Sequence, residues 1–173
     1  LVNDLLDVAR IEEGRFGFNV THQSIVPVME KVYAHFCDVV ERKGIRLLLK
    51  MEKDQLPNVL IDDEKIGILL ENIFDNAVKY TSPGGEVLIR ITHNRDTIRI
   101  VVKDAGIGIP AHQQHRVFTK FFRGDNAQLF QTSGTGLGLY VAKNIIAEHK
   151  GTMSFESKEE KGSTFSFSLP IPA

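Results

Sequence analysis

The sequence is short of most features that would take it outside an ordinary folded domain. With a single cysteine, Cys37, it cannot form an internal disulfide. In "VYAHFCDVVERKG" that cysteine falls on the apolar side of a helical pattern, so a buried structural thiol in a reducing compartment is expected rather than a reactive one. The 21 Lys and Arg nearly balance 22 Asp and Glu, and a formal net charge of −1 gives no reason to expect nucleic acid or an anionic membrane as a main partner. No apolar run approaches the roughly 18 residues that a bilayer span needs, and no signal-peptide pattern is present. Repeats and low-complexity segments are missing as well. What is there, 173 residues with 42% hydrophobic and 25% charged content, amounts to one domain with enough apolar material for a core.

The apolar pattern predicts interleaved helices and strands. "LVNDLLDVARIEEG" spaces Leu1, Leu5, Val8 and Ile11 as a helix seam ending at Gly14. Such a short helix is expected to pack on another chain or on a segment outside this sequence. "RFGFNVTHQS" alternates as a strand, Ser24 is placed to cap a helix running to about Arg42, and "IRLLLKME" reads as a further strand. Asp62 can cap the most regular helix, "DEKIGILLENIFDNAVKYT", whose Ile66, Leu69, Leu70, Ile73, Phe74 and Ala77 share one face. "EVLIRITHN" and "TIRIVVKDAG" form a hairpin, and "TMSFESKEEKGSTFSFSLPI" forms another. Between the hairpins lie an irregular stretch over 107–133, with a short helix near His112 to Phe118, and then a helix after the glycines of "GTGLGLYVAK". Without a strict β-α-β repeat this order predicts an α+β domain with helices on one face of a mixed sheet.

Three stretches carry chemistry. Gly134, Gly136 and Gly138 bare the backbone at a helix N-terminus, a setting suited to a phosphate. The stretch is no P-loop, since Leu139 and Tyr140 follow Gly138, and no dinucleotide fingerprint, since the glycines follow a polar loop rather than a strand. Asn72, Asn76 and Lys79 stand at i, i+4 and i+7 in one helical stripe. Their plain reading is a solvated face; their chemical reading is two hard neutral oxygens for Mg²⁺ and a point charge for phosphate. In "DAGIGIP", Asp104 ends a strand just before Gly106 and Gly108. A turn accounts for an Asp and a Gly, but a flat ring whose amino group donates to the carboxylate also accounts for the alternating glycines, and adenine has that group.

"NIFDNAVKYT", "DAGIGIP", "VFTKFFRGD" and "GTGLGL" together resemble the N, G1, F and G2 boxes of the ATP-binding catalytic domain of sensor histidine kinases. That family lies in the superfamily of gyrase B, MutL and heat-shock chaperone ATPases. The resemblance covers roughly residues 19–173 and implies a two-layer α/β sandwich of the Bergerat type, with a mixed, mostly antiparallel sheet, helices on one face and the nucleotide under a flexible lid. It divides the chain into 1–16, the end of the second dimerisation and phosphotransfer helix with its linker, and 17–173, the catalytic domain.

On this resemblance Asn76 coordinates Mg²⁺, Asn72 lies near the phosphates, Lys79 contacts phosphate and Tyr80 flanks the adenine. Asp104 reads the adenine amino group, Gly106 and Gly108 admit the base, and Gly134, Gly136 and Gly138 place their amides near the triphosphate. Arg123 reaches toward the γ-phosphate or the partner domain, while Phe118, Phe121 and Phe122 read equally as apolar anchors of the lid. The lid stretch "NAQLFQTSG" lacks the second basic residue common in the family, and 124–133, with only Leu129 and Phe130 as candidate core, is expected to be poorly ordered without nucleotide. Asn72 occupies the place of the general-base glutamate of the hydrolytic relatives, which favours transfer over hydrolysis; Glu71 and Asp75 are expected to point elsewhere, with Asp75 kept as a suspect. None of His22, His35, His93, His112, His115 or His149 sits in an acceptor motif, so all six are expected to be structural or solvated.

The function implied is transfer of the γ-phosphoryl of ATP, with Mg²⁺, to a histidine on an upstream domain, for relay to a response regulator. An ATP-gated regulatory module of the same fold is the alternative. The resemblance further implies a homodimeric, cytoplasmic protein whose full-length form could be anchored in the inner membrane.

Overall fold

The computed structural model describes residues 2–51 and 56–172. In chain order the elements are α1 (Val2–Glu12), β1 (Thr21–Gln23), α2 (Val26–Lys43), β2 (Arg46–Lys50), β3 (Val59–Ile61), α3 (Asp63–Tyr80), β4 (Glu86–His93), β5 (Thr97–Asp104), a 3₁₀ turn (Ala111–Arg116), α4 (Asp125–Phe130), α5 (Gly138–Glu148), β6 (Thr152–Lys158) and β7 (Gly162–Pro170). Five strands form one sheet in the order β2-β4-β5-β7-β6; β2 runs parallel to β4 and the other pairs are antiparallel. A separate two-stranded ribbon pairs β1 with β3.

Alternation along the strands turns Val87, Ile89, Ile91, Ile98, Ile100, Val102, Phe165, Phe167 and Leu169 into one buried cluster with the apolar stripes of α2, α3 and α5. Ile66, Leu69, Leu70, Ile73, Phe74 and Ala77 of α3 are all in it, as the periodicity predicts. The α+β fold with helices on one face of a mixed sheet is borne out. Asp62 caps α3: its Oδ1 accepts from the Lys65 N–H (3.0 Å) and its Oδ2 from the Asn19 N–H (2.7 Å). The Asp62 N–H in turn donates to His149 Nε2 (2.9 Å), while His149 Nδ1 lies 2.8 Å from the Ile145 carbonyl, which makes Nδ1 the protonated nitrogen. His149 thus ties the start of α3 to the end of α5.

Several local expectations need correction. The strand expected over "RFGFNVTHQS" shrinks to Thr21–Gln23, because Phe16 is buried in the core and Gly17 turns the chain at φ 62°. Ile25 rather than Ser24 is the N-cap of α2, and Ser24 Oγ accepts from the Val26 N–H (3.2 Å). Cys37 is half-buried, not buried. Along the seam of α1 only Val8 is buried; Val2, Leu5 and Leu6 are exposed, and Leu1 lies outside the described residues. Glu52, at the end of the expected "IRLLLKME" strand, also lies outside them, and β2 stops at Lys50. The short helix expected near His112 to Phe118 is present as the 3₁₀ turn, and α4 is an element not expected in the stretch over 107–133, yet Leu129 and Phe130 of α4 are exposed rather than core. Phe121 is exposed too and adopts φ 61°, whereas Phe118 and Phe122 pack on the core.

Candidate nucleotide site

α3, the loop after β5, the 107–137 segment and the start of α5 surround a cavity of about 630 Å³. Asn72, Asn76, Lys79, Tyr80, Asp104, Gly108, Arg123, Gly134, Gly136 and Gly138 all line it. Four motifs far apart in sequence thus meet at one place. Gly106 lies just behind, where a Cβ would stand 2.6 Å from the Tyr80 carbonyl oxygen and 2.7 Å from Asp104 Oδ1.

At one end Asp104 is only 6% exposed. Its Oδ1 accepts from the Gly106 N–H (2.9 Å) and the Ser163 N–H (3.2 Å), and no described residue donates to Oδ2. Burial pushes its carboxyl up to about 6, with the Gly106 and Ser163 hydrogen bonds pulling the other way. An anionic acceptor with one committed and one open oxygen is suited to an amino group. The glycines here serve the protein's own packing: a Cβ on Gly108, which has φ +65°, would run into the Lys158 carbonyl of the β6–β7 turn. Ser163 was not singled out from the sequence, because only the register of β5 against β7 brings it to Asp104.

At the other end Asn72 and Asn76 face the cavity from α3 with no hydrogen bond to a described residue, so their amide oxygens are open to a hard cation or its waters. A Cβ on Gly138 would stand 2.6 Å from Asn72 Oδ1, so bare backbone there lets α3 and α5 close together beside the cavity. A Cβ on Gly134 would stand 2.6 Å from Lys79 Nζ and 3.4 Å from Arg123 Nε. Two cations therefore converge on the first glycine of the G2 stretch. Burial lowers the Lys79 pKa, partly offset by Asp75, and Arg123 lowers it further. Tyr80 is raised by burial, with Arg123 acting in the opposite sense. Arg123 donates through Nη1 to the Thr132 carbonyl (2.9 Å) and through Nη2 to that of Gln131, while its Nε is buried without a partner among the described residues.

Gly136, at φ +70°, lets the backbone of Phe121 and Phe122 cross within 2.7 Å of where a Cβ would be, which fits the F stretch to the G2 stretch. Glu71, expected to point elsewhere than Asn72, borders the same cavity, as does Asp75, the suspect of the two. His35, expected to be structural or solvated, borders it as well. α1 closes the cavity from outside: Asp4 lines it and accepts from Thr135 Oγ1 (3.0 Å), and Glu12 pairs with Lys120.

A buried carboxylate with an open oxygen at one end, open amides and two converging cations at the other, and a glycine-rich helix start between them make up one site. Residues 61–173 match the family described as histidine kinase-, DNA gyrase B- and HSP90-like ATPase, and the chain belongs to it. It is 37% identical over 172 residues to the sensor histidine kinase WalK of Bacillus subtilis, and 33% identical to the sensor protein SrrB of Staphylococcus aureus. These alignments take in 98% and 99% of the chain but 28% and 29% of the relatives, so the chain spans under a third of their length. Among solved structures, full-length ShkA in complex with AMPPNP superposes with a TM-score of 0.83 at 26% identity, over 99% of this chain and 35% of that one. The nucleotide-free catalytic domain of histidine kinase ThkA superposes at 0.76 with 27% identity, over 88% of this chain and 97% of that one.

Proposed function

We propose that the chain binds Mg²⁺-ATP and passes the γ-phosphoryl group to a histidine on a domain preceding it in the full-length protein. The observation that carries this is the convergence of Lys79 and Arg123 on Gly134, in the cavity that the open amides of Asn72 and Asn76 also line. In the reaction an imidazole nitrogen attacks the γ-phosphorus, the bond to the β-phosphate oxygen breaks, and ADP leaves with the electron pair. Asp104 Oδ2 accepts from the adenine amino group and Tyr80 flanks the base, with Gly106 and Gly108 fitting the loop around it. Asn76, with Asn72 one turn earlier, holds the cation; its chemistry there is to screen the phosphate charge. Lys79 and Arg123 neutralise the rest, which lets the lid do without a second basic residue, and the amides of Gly134, Gly136 and Gly138 border the triphosphate. Asn72 cannot accept a proton, so activation of water is poor.

Residues 1–16 are the end of the second dimerisation and phosphotransfer helix with its linker, and 17–173 the catalytic domain. The exposed Val2, Leu5 and Leu6 fit pairing with upstream helices in a homodimer. A response regulator then receives the phosphoryl group in the cytoplasm. Incubation with γ-labelled ATP tests the reading. Acid-labile label is expected on a separately supplied dimerisation domain and not on this chain alone. Nucleotide binding without any transfer would instead support an ATP-gated regulatory module.

A further inference from the structure

The segment between the F stretch and the G2 stretch is held in two different ways. Over its first half, Gln113, a buried residue of the 3₁₀ turn, forms a reciprocal pair with Asp125. Its Nε2 donates to Asp125 Oδ2 (2.6 Å) and its Oε1 accepts from the Asp125 N–H (3.1 Å). One residue on, Asn126 Nδ2 donates to the Gly108 carbonyl (3.0 Å) in the loop after β5. Gly124 makes room for both, since a Cβ there would stand 3.0 Å from Asn126 Oδ1 and 3.3 Å from Gln113 Oε1. Gly108, Ile109, Asn126 and Ala127 line the same cavity as Asp104. Among the described residues the second half has no such anchor to the loop after β5; its far end is held instead by Thr135 on Asp4 and by Gly136 against the Phe121–Phe122 backbone. Gln131 and Thr132 are exposed, and the side chain that reaches their carbonyls, Arg123, is one that a phosphate would compete for.

We propose that Asn126 and Gln113 are positioning residues that hold α4 as a standing roof over the adenine end, so that only residues 131–134 rearrange around the phosphates. The inference rests on the nucleotide reading above. It divides the lid, which as a whole is expected to order on nucleotide, into a fixed half and a moving half. Because the roof touches the part common to all adenine nucleotides, losing it weakens ADP and AMPPNP alike, whereas a lid that closes only on the triphosphate would weaken AMPPNP more.

The test combines hydrogen exchange of the nucleotide-free protein with calorimetry using ADP and AMPPNP, on the parent, Asn126→Ala, and Asn126→Asp, which keeps the shape but loses the donor. In the parent, the amides of Gln128 and Gln131, bonded to the Gly124 and Ala127 carbonyls, are expected to be protected without nucleotide. Both variants are expected to lose that protection and to bind ADP and AMPPNP more weakly by the same factor, about fivefold to tenfold. Their thermal midpoints should match the parent's, since the roof is outside the core. Unprotected α4 amides in the parent, or unchanged ADP affinity in both variants, would overturn the proposal alone. A parent that binds no adenine nucleotide would overturn the nucleotide reading with it.

Discussion

At the end of the cavity that holds Asp104, the residues facing a ligand are also the residues that keep the sheet together. Asp104 is the last residue of β5, and its carboxylate binds the backbone of Gly106 and of Ser163 on β7; Gly108 packs on the β6–β7 turn. At the opposite end Asn72, Asn76 and Lys79 project from one side of α3 while its other side, Ile66 to Val78, carries the core. Binding and folding are therefore coupled at the adenine end and separable at the phosphate end. Substitutions break or sharpen that contrast according to where they fall.

The largest effect is expected from Gly108→Ala. The position combines φ +65° with a Cβ that would overlap a backbone carbonyl, which cannot swing aside as a side chain does. A loss of about 3–4 kcal/mol in a urea titration is expected, together with loss of nucleotide binding. Near-parental stability would show that the adenine end is not built into the fold. Asn76→Ala should show the reverse pattern. Nucleotide affinity in the presence of Mg²⁺ should fall about 100-fold, equivalent to about 2.7 kcal/mol, with stability within about 0.5 kcal/mol of the parent. An unchanged dependence on Mg²⁺ would remove Asn76 from the cation site. Discrimination between ATP and GTP comes next. Guanine would set a carbonyl against the Asp104 carboxylate, so ATP should be preferred by about 1–3 kcal/mol, and calorimetry with both nucleotides on the parent and Asp104→Asn should show the preference shrinking in the variant.

The phosphate end was the more legible of the two in the sequence. Asn72, Asn76 and Lys79 share a face because helical periodicity is local, and the same periodicity exposed the core face of α3. The fold class was legible for a similar reason, since alternation in β4, β5 and β7 is strong. Ser163, Gln113 and the Lys158 turn were not, because they reach the site through strand register and loop path, which no local pattern encodes. The strand expected around Phe16 failed because a buried aromatic next to a glycine mimics alternation over a few residues. Leu129 and Phe130 look like core by composition but sit on α4, where neither is buried.

The smallest effect expected is also the one in which stability and binding should move in opposite directions. Burial raises the Asp104 carboxyl from 3.8 to about 6, so the folded state holds this proton more tightly than the unfolded chain does. Its contribution to stability is therefore fully present below about pH 3.8, declines as pH rises, and is lost above about pH 6. A gap of about two pH units corresponds to roughly 3 kcal/mol of burial penalty at neutral pH, before relaxation reduces it. Asn at this position keeps an oxygen for the Gly106 and Ser163 N–H groups and carries no charge. Asp104→Asn is thus expected to be more stable than the parent by about 1–2 kcal/mol at pH 7.5, while binding ATP more weakly. The gain should shrink as pH falls through 6 toward 4.5, because the parent's carboxyl takes up its proton there. Denaturation curves of both proteins across that range decide the matter. Equal midpoints at pH 7.5, or a gain that does not change with pH, would mean that the buried charge at the adenine end is not held at the expense of the fold.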